Sequence, residues 1–275
     1  MKPYSRGASG RRWLGALAVA LVFGTRVSAH DFWIEVSDFH GATGAPIHVH
    51  LKVGEHFSGE AVPRNDARIA RFFAVGPDGE RDIIGRDGAA PAGFLRFDSP
   101  GISAIGYQSK PSVVSLHPKK FEQYLLEEGL DHVIQERQAR GEQGRQGRER
   151  FARSVKALIQ TGDTADAGGY ERTLGLPLEL VAETNPFSDR SDDVRLRLLN
   201  RGRPLEGALV FMWRKDDRQT AAGELVARMR TDAAGHVVVP RGRGVWLVKA
   251  VHMTRVNSRD ADWESVWTSL TYRIR

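Results

Sequence analysis

Ile47-His48-Val49-His50-Leu51-Lys52-Val53 decides the fold. Every second residue is apolar, and a strand sends successive side chains to opposite faces. Ile47, Val49, Leu51 and Val53 therefore face a core, while His48, His50 and Lys52 face outward. Upstream, Asp31-Phe32-Trp33-Ile34-Glu35-Val36 alternates in the same way and reads as a second strand. Downstream, segments 71–75 and 81–84 flank a Pro77-Asp78-Gly79 turn, and 94–98 and 102–108 flank Ser99-Pro100-Gly101. Both pairs read as hairpins. Short strands at this spacing predict a β-sandwich.

The pattern changes at Pro118. Phe121, Tyr124, Leu125, Leu130, Val133 and Ile134 recur at helical spacing. A Gly-rich run over 141–147 breaks the helix. A second helix is predicted over 148–159, with Phe151, Val155, Leu158 and Ile159 on one face. Strand candidates then return at 178–182, 194–199, 208–213, 237–239, 245–252 and 266–274. The turns Arg203-Pro204-Leu205-Glu206-Gly207-Ala208 and Thr231-Asp232-Ala233-Ala234-Gly235 resemble those of small immunoglobulin- or prealbumin-like modules. The expected fold is mainly β: two β-sandwich units of immunoglobulin or prealbumin type, with a helical insert between them. The expected organisation is a signal peptide over 1–29, an N-terminal β-sandwich region over 30–117, the helical insert over 118–165, and an immunoglobulin-like β domain over 170–275. The small, polar, Gly-rich segment 161–169 places the domain boundary near 165–177.

The signal peptide rests on Lys2, Arg6, Arg11 and Arg12, an apolar run over 14–23, and Val27-Ser28-Ala29. Small residues at the −3 and −1 positions suit signal peptidase. The apolar run, at ~10 residues, is half the ~20 that a membrane span needs. Cleavage after Ala29 would leave 246 of the 275 residues in a periplasmic or secreted protein. Segment 1–29 carries five of the 40 basic residues and no acid, so 35 basic and 34 acidic residues would remain, a formal charge of +1. That removes the electrostatic case for nucleic acid as a partner. With no cysteine in the chain, there are no disulfides, thiolate ligands or lipid-anchoring thiol. A metal site must then use His, Asp, Glu, backbone or a terminal amine.

Cleavage would make His30 the N-terminus. Its α-amine (pKa ~7.7–8.0) and imidazole could chelate one metal ion. Five of the nine histidines lie between 30 and 56: His30, His40, His48, His50 and His56. His48 and His50 share a strand face that Lys52 continues, which is also what a solvated face looks like. His56 sits between Gly54 and Gly59, in a constrained loop suited either to function or to a local hydrogen bond. His252 shares a face with Trp246, Val248 and Ala250, where a core histidine is the ordinary alternative. Glu264 alternates onto the apolar face of 266–274 and requires a partner: a cation, a metal or a histidine. Glu127-Glu128 reads as a solvated helix face, because adjacent helix residues diverge. There is no G-x-S-x-G, phosphate loop, H-E-x-x-H or cysteine nucleophile. The chain is therefore expected not to be an enzyme.

A resemblance adds to this reading. His30-Asp31-Phe32-Trp33, Val53-Gly54-Glu55-His56-Phe57, Phe121-x-x-Tyr124-Leu125-x-Glu127-Glu128-Gly129-Leu130 and Arg148-Glu149-Arg150-Phe151-Ala152-Arg153-x-x-Lys156-Ala157-Leu158 follow in order. Leu174-Gly175-x-Pro177-Leu178-Glu179-Leu180, Asn185-Pro186 and Trp246-Leu247-Val248-Lys249-Ala250-x-His252 complete the set. The set resembles the bacterial exported domain-of-unknown-function family numbered 4198, whose members are often labelled nickel uptake transporter or nickel transport complex proteins. The resemblance implies a periplasmic protein that binds nickel or copper in metal uptake or homeostasis, with an inner-membrane metal permease as partner. His30, His56 and His252 stand at motif positions and are the metal-ligand candidates; His48 and His50 do not. The alternatives are an exported binding or adhesion module without metal, using Trp33, Trp263 and Trp267, or a histidine-brace copper oxidase.

Overall fold

The structure is a computed structural model that describes residues 30–163, 168–190, 193–216 and 222–275. The expected signal peptide lies outside the described residues. In chain order the first strands are β1 (Asp31–Val36), β2 (His40–Gly41), β3 (Ile47–Glu55), β4 (Ser58–Val62), β5 (Ile69–Gly76) and β6 (Gly79–Asp82). Next come β7 (Gly93–Leu95), β8 (Gly101–Ser109) and β9 (Ser112–Leu116), then helices α1 (Pro118–Glu127) and α2 (Asp131–Ala139). The chain continues with β10 (Gly147–Thr161), β11 (Leu178–Ala182), β12 (Asp193–Asn200), β13 (Arg203–Pro204) and β14 (Leu209–Lys215). It ends with β15 (Glu224–Arg230), β16 (His236–Pro240), β17 (Gly244–Arg255) and β18 (Trp263–Ile274).

The strands form three sheets. A ten-stranded sheet runs β15-β14-β17-β18-β10-β8-β5-β6, with β2 and β9 added along β10. One four-stranded sheet (β1, β3, β4, β7) covers one face of it, and another (β11, β12, β13, β16) covers the other. The expected mainly β fold with two sandwiches is what is found, and one long sheet serves both. The alternation that predicted the sandwich does this. In β10, Val155, Ala157 and Ile159 enter the core under β1 and β3, while Leu158 enters the core under β11 and β12. In β18, Ser269 and Thr271 donate to the Phe32 and Ile34 carbonyls of β1, while Leu270, Tyr272 and Ile274 face the second core. The join is the parallel pairing of β10 with β18, from Glu149↔Trp263 to Ala157↔Thr271.

Two expectations need correction. Segment 148–159 is not a helix but most of β10. Its apolar residues fit a helical period only because Ser154 and Lys156 are also buried, so the strand shows no polar face. Segments 94–98 and 102–108 are not a hairpin: β7 pairs with β3, while β8 pairs with β5 and β10. The helical insert is present as α1 and α2, which pack Phe121, Tyr124, Leu125, Leu130 and Val133 onto Val251, Met253 and Trp263.

Candidate functional site

The site is set by the register of β1 on β3. Asp31 pairs with Gly54, so residue 30 arrives beside Glu55, and His30 Nε2 lies 3.3 Å from Glu55 Oε1. β3 and β4 are joined by the two residues His56 and Phe57, both with positive φ (53° and 56°). Positive φ at both positions is the geometry of a type I′ hairpin, and it is unfavourable for side chains of this size. Burial holds it. Phe57 packs edge-on against Trp33 at 5.5 Å between ring centroids, in a cluster with Leu247. The flanking glycines are needed for close approach: a Cβ on Gly54 would lie 1.9 Å from the Ser58 carbonyl oxygen. The His56 ring rests on Trp213 at 5.2 Å, and its carbonyl accepts a hydrogen bond from the Gly223 N–H. His30 and His56 thus share one end of the β1-β3-β4 sheet.

Asp31 fixes this end to the central sheet. Its Oδ1 lies 2.6 Å from Lys249 Nζ on β17, and Lys249 also reaches Glu128 Oε1 at 3.1 Å. All three residues are buried. Burial alone would lower the Lys249 pKa, but the Glu128 and Asp31 carboxylates outweigh it and hold the ammonium above its ordinary value. Glu128 is therefore not part of a solvated face, as its pairing with Glu127 suggested. α1 ends at Glu127, and Gly129 turns the chain at φ 66°, which swings Glu128 inward. The signal was in the sequence: Asp31, Glu128 and Lys249 each stand inside a motif quoted above, and a buried cation needs acids.

His252 lies elsewhere. Lys249 points from β17 towards β1, so His252, three residues on, projects from the opposite face. It lines a cleft of about 420 Å³ with His132, Glu206 and Arg230. The His132 and His252 rings stack at 6.0 Å between centroids, and His132 Nε2 meets the Met253 carbonyl at 2.8 Å. Burial, then the charges of His132 and Arg201, lower the His252 pKa. Among the described residues no group of three or more His, Asp or Glu side chains is placed to hold one metal ion. The structure brings His30 and His56 to one sheet end and gives His252 a different companion, His132.

The remaining candidates have local partners. His48 meets Phe94 edge-on at 5.0 Å, and burial lowers the His50 pKa. Glu264 is held by Arg150, Nη2 to Oε2 at 2.7 Å, and by Arg201 at 3.5 Å. Trp33 and Trp263 are core residues, and Trp267 stacks on Tyr124 at 5.6 Å.

Comparison with known proteins gives a family and little else. The model of the family described as "Domain of unknown function (DUF4198)" matches residues 27–254. No curated protein matches the chain. Among solved structures, the D0-D1 domain of intimin is 11% identical, with 88% of this chain and 97% of that chain covered and a TM-score of 0.22. Escherichia coli alpha-2-macroglobulin activated by porcine elastase is 11% identical, with 88% and 20% covered and a TM-score of 0.21. The human OSCAR ligand-binding domain is 12% identical, with 90% and 100% covered and a TM-score of 0.20. Scores this low carry no argument about architecture or function.

Proposed function

The chain belongs to the DUF4198 family, and from that footing we propose that it is an exported protein that binds nickel or copper through His30 and serves metal uptake or homeostasis. The reading rests on the expected signal cleavage after Ala29 and on the contact between His30 Nε2 and Glu55. A metal-bound imidazole usually gives its second ring nitrogen to a carboxylate or carbonyl. With Nε2 directed at Glu55, Nδ1 remains for the metal, on the residue whose α-amine cleavage would expose. The pair is a chelate of two nitrogens, the ligand type that Ni²⁺ and Cu²⁺ favour. The amine is a donor that no side chain supplies, and it adds to the side chains available among the described residues. The buried Asp31–Lys249 ion pair supports the reading as well, since it holds the residue after His30.

The test is titration of protein beginning at His30 with Ni²⁺ and Cu²⁺ by calorimetry, repeated with one alanine placed before His30. The extra residue removes the amine from chelating position and should abolish tight binding. Equal affinity would overturn the proposal. Glu55→Gln should weaken binding by roughly 10- to 100-fold, the usual effect of losing an outer carboxylate partner.

A further inference from the structure

Three cations are buried among the described residues, and each meets a carboxylate. Arg137 reaches Glu122 at 2.7 Å, Lys156 reaches Glu179 at 2.8 Å, and Lys249 reaches Asp31 at 2.6 Å. Arg153, on β10, is half-buried and has no carboxylate within ion-pair distance among the described residues. Its Nη1 is buried and has no hydrogen-bond partner. Its guanidinium carbon lies 4.7 Å from the Phe32 ring centroid and 5.8 Å from that of Phe151. Aromatic faces offset some of the charge but leave N–H donors unsatisfied.

Arg153 sits in the wall of a cleft of about 640 Å³. That volume is in the range of small-molecule sites. Phe32, Tyr107 and Phe151 line it, with Leu51, Val53 and Val62 beside them. Three further cations line it: exposed Lys110, which makes no ion pair among the described residues, Arg68, whose Nη1 donates to Ser112 Oγ, and Arg64. Arg64 is committed elsewhere, to Asp66 and to the Ile83 and Ala92 carbonyls. The Asp87 carboxylate, also in the lining, accepts from the Asp66 N–H. Burial lowers the Arg153 pKa to about 10, so the group is still a cation near neutral pH.

We propose that this cleft binds a small organic carboxylate with an apolar or aromatic body, the carboxylate on Arg153 and the body against Phe32, Tyr107 and Phe151. A planar guanidinium suits a carboxylate, and the neighbouring apolar walls suit a ligand with carbon to bury. An inorganic anion would leave those walls uncovered. The site is independent of metal binding at His30.

The probes are benzoate and hexanoate against their neutral counterparts benzamide and hexanamide, with inorganic phosphate as a third arm, titrated into the full mature chain by calorimetry. At least one acid should bind roughly 10-fold or more tighter than its amide, as a charged hydrogen bond worth about 1.5–3 kcal/mol requires. Arg153→Met should remove that preference, and Lys110→Ala should narrow it. Phosphate should bind more weakly than the acid. Equal binding of acid and amide, phosphate binding as tightly as the acid, or no acid binding at millimolar concentration would each overturn the proposal. So would a folded Arg153→Met protein with wild-type affinity. If Arg153→Met fails to fold, the acid-to-amide ratio and the exposed Lys110→Ala variant still decide.

Discussion

Asp31 Oδ1 lies 2.6 Å from Lys249 Nζ, and this contact ties the first strand of the described chain to a central strand more than two hundred residues later. The same ammonium holds Glu128 at the end of α1. Three distant segments therefore meet on one buried charge. Lys249→Met would strand two carboxylates and should cost about 3–5 kcal/mol, the usual penalty for breaking a buried ion pair. Glu128→Gln keeps the Asp31–Lys249 contact and should cost less, about 1–3 kcal/mol. Urea unfolding at pH 7 measures both. Equal losses would show that the charges do not act as a unit.

A second prediction concerns the hairpin that carries His56. A Cβ on Gly59 would lie 2.2 Å from the Val53 carbonyl oxygen and 2.8 Å from Trp33 Cη2. Gly59→Ala should therefore force β4 off β3 or displace Trp33. The expected loss is roughly 1–3 kcal/mol, as for other overpacked sites. Thermal unfolding checks it, and tryptophan fluorescence should move with it. An unchanged midpoint would refute the close approach.

The Lys156–Glu179 pair bridges β10 and β11 inside the second core. Glu179 also accepts from the Leu174 N–H at 2.7 Å and the Leu176 N–H at 3.2 Å. Lys156→Met should cost about 3–5 kcal/mol by leaving the carboxylate unpaired. Adding Glu179→Met should recover part of that loss, yet the double variant should remain below wild type because two N–H donors lose their acceptor. A double-mutant cycle reads the coupling. Additive losses would refute the pairing.

Stability should fall on mild acidification. Burial, with the Arg275 and Arg273 charges, lowers the His40 pKa from 6.5 to about 4. Between those values the unfolded chain binds a proton that the folded chain refuses. The unfolded state is thus favoured increasingly as pH drops from 6.5 towards 4. Denaturation midpoints at pH 7, 5.5 and 4 should decline in wild type, and the decline should be shallower in His40→Gln. Parallel slopes would assign the acid sensitivity to other groups.

The sandwich architecture was legible wherever one strand face met water or a turn marked the strand's end. The segment 178–182 was read as β11 is found, and β12, β14, β16, β17 and β18 fall on their predicted segments with different ends. β10 was not legible, because it lies between two cores and carries Lys156 and Ser154 inside. Its apolar spacing is then set by which neighbour each residue meets, and alternation disappears. β15 was missed for the opposite reason: Glu224, Leu225, Arg228, Met229 and Arg230 are all exposed, so no buried face shows in its pattern. At the site, the sequence marked His30 and His56, which do share a sheet end. It could not pair His252 with His132, since a helix and a strand 120 residues apart meet only through the fold. Glu128 was hidden by its neighbour: adjacency to Glu127 looks like a wet helix face, whereas α1 ends at exposed Glu127 and the chain turns at Gly129 with Glu128 buried.

The parallel seam between β10 and β18 bears on how this chain can be divided. Neither sandwich owns the sheet it depends on, so a cut in the connection after β10 would give each half a raw edge where the other half now supplies a strand. The two units should therefore fail to fold when expressed, swapped or duplicated as separate cassettes. They should melt in one transition, and the architecture should be inherited whole.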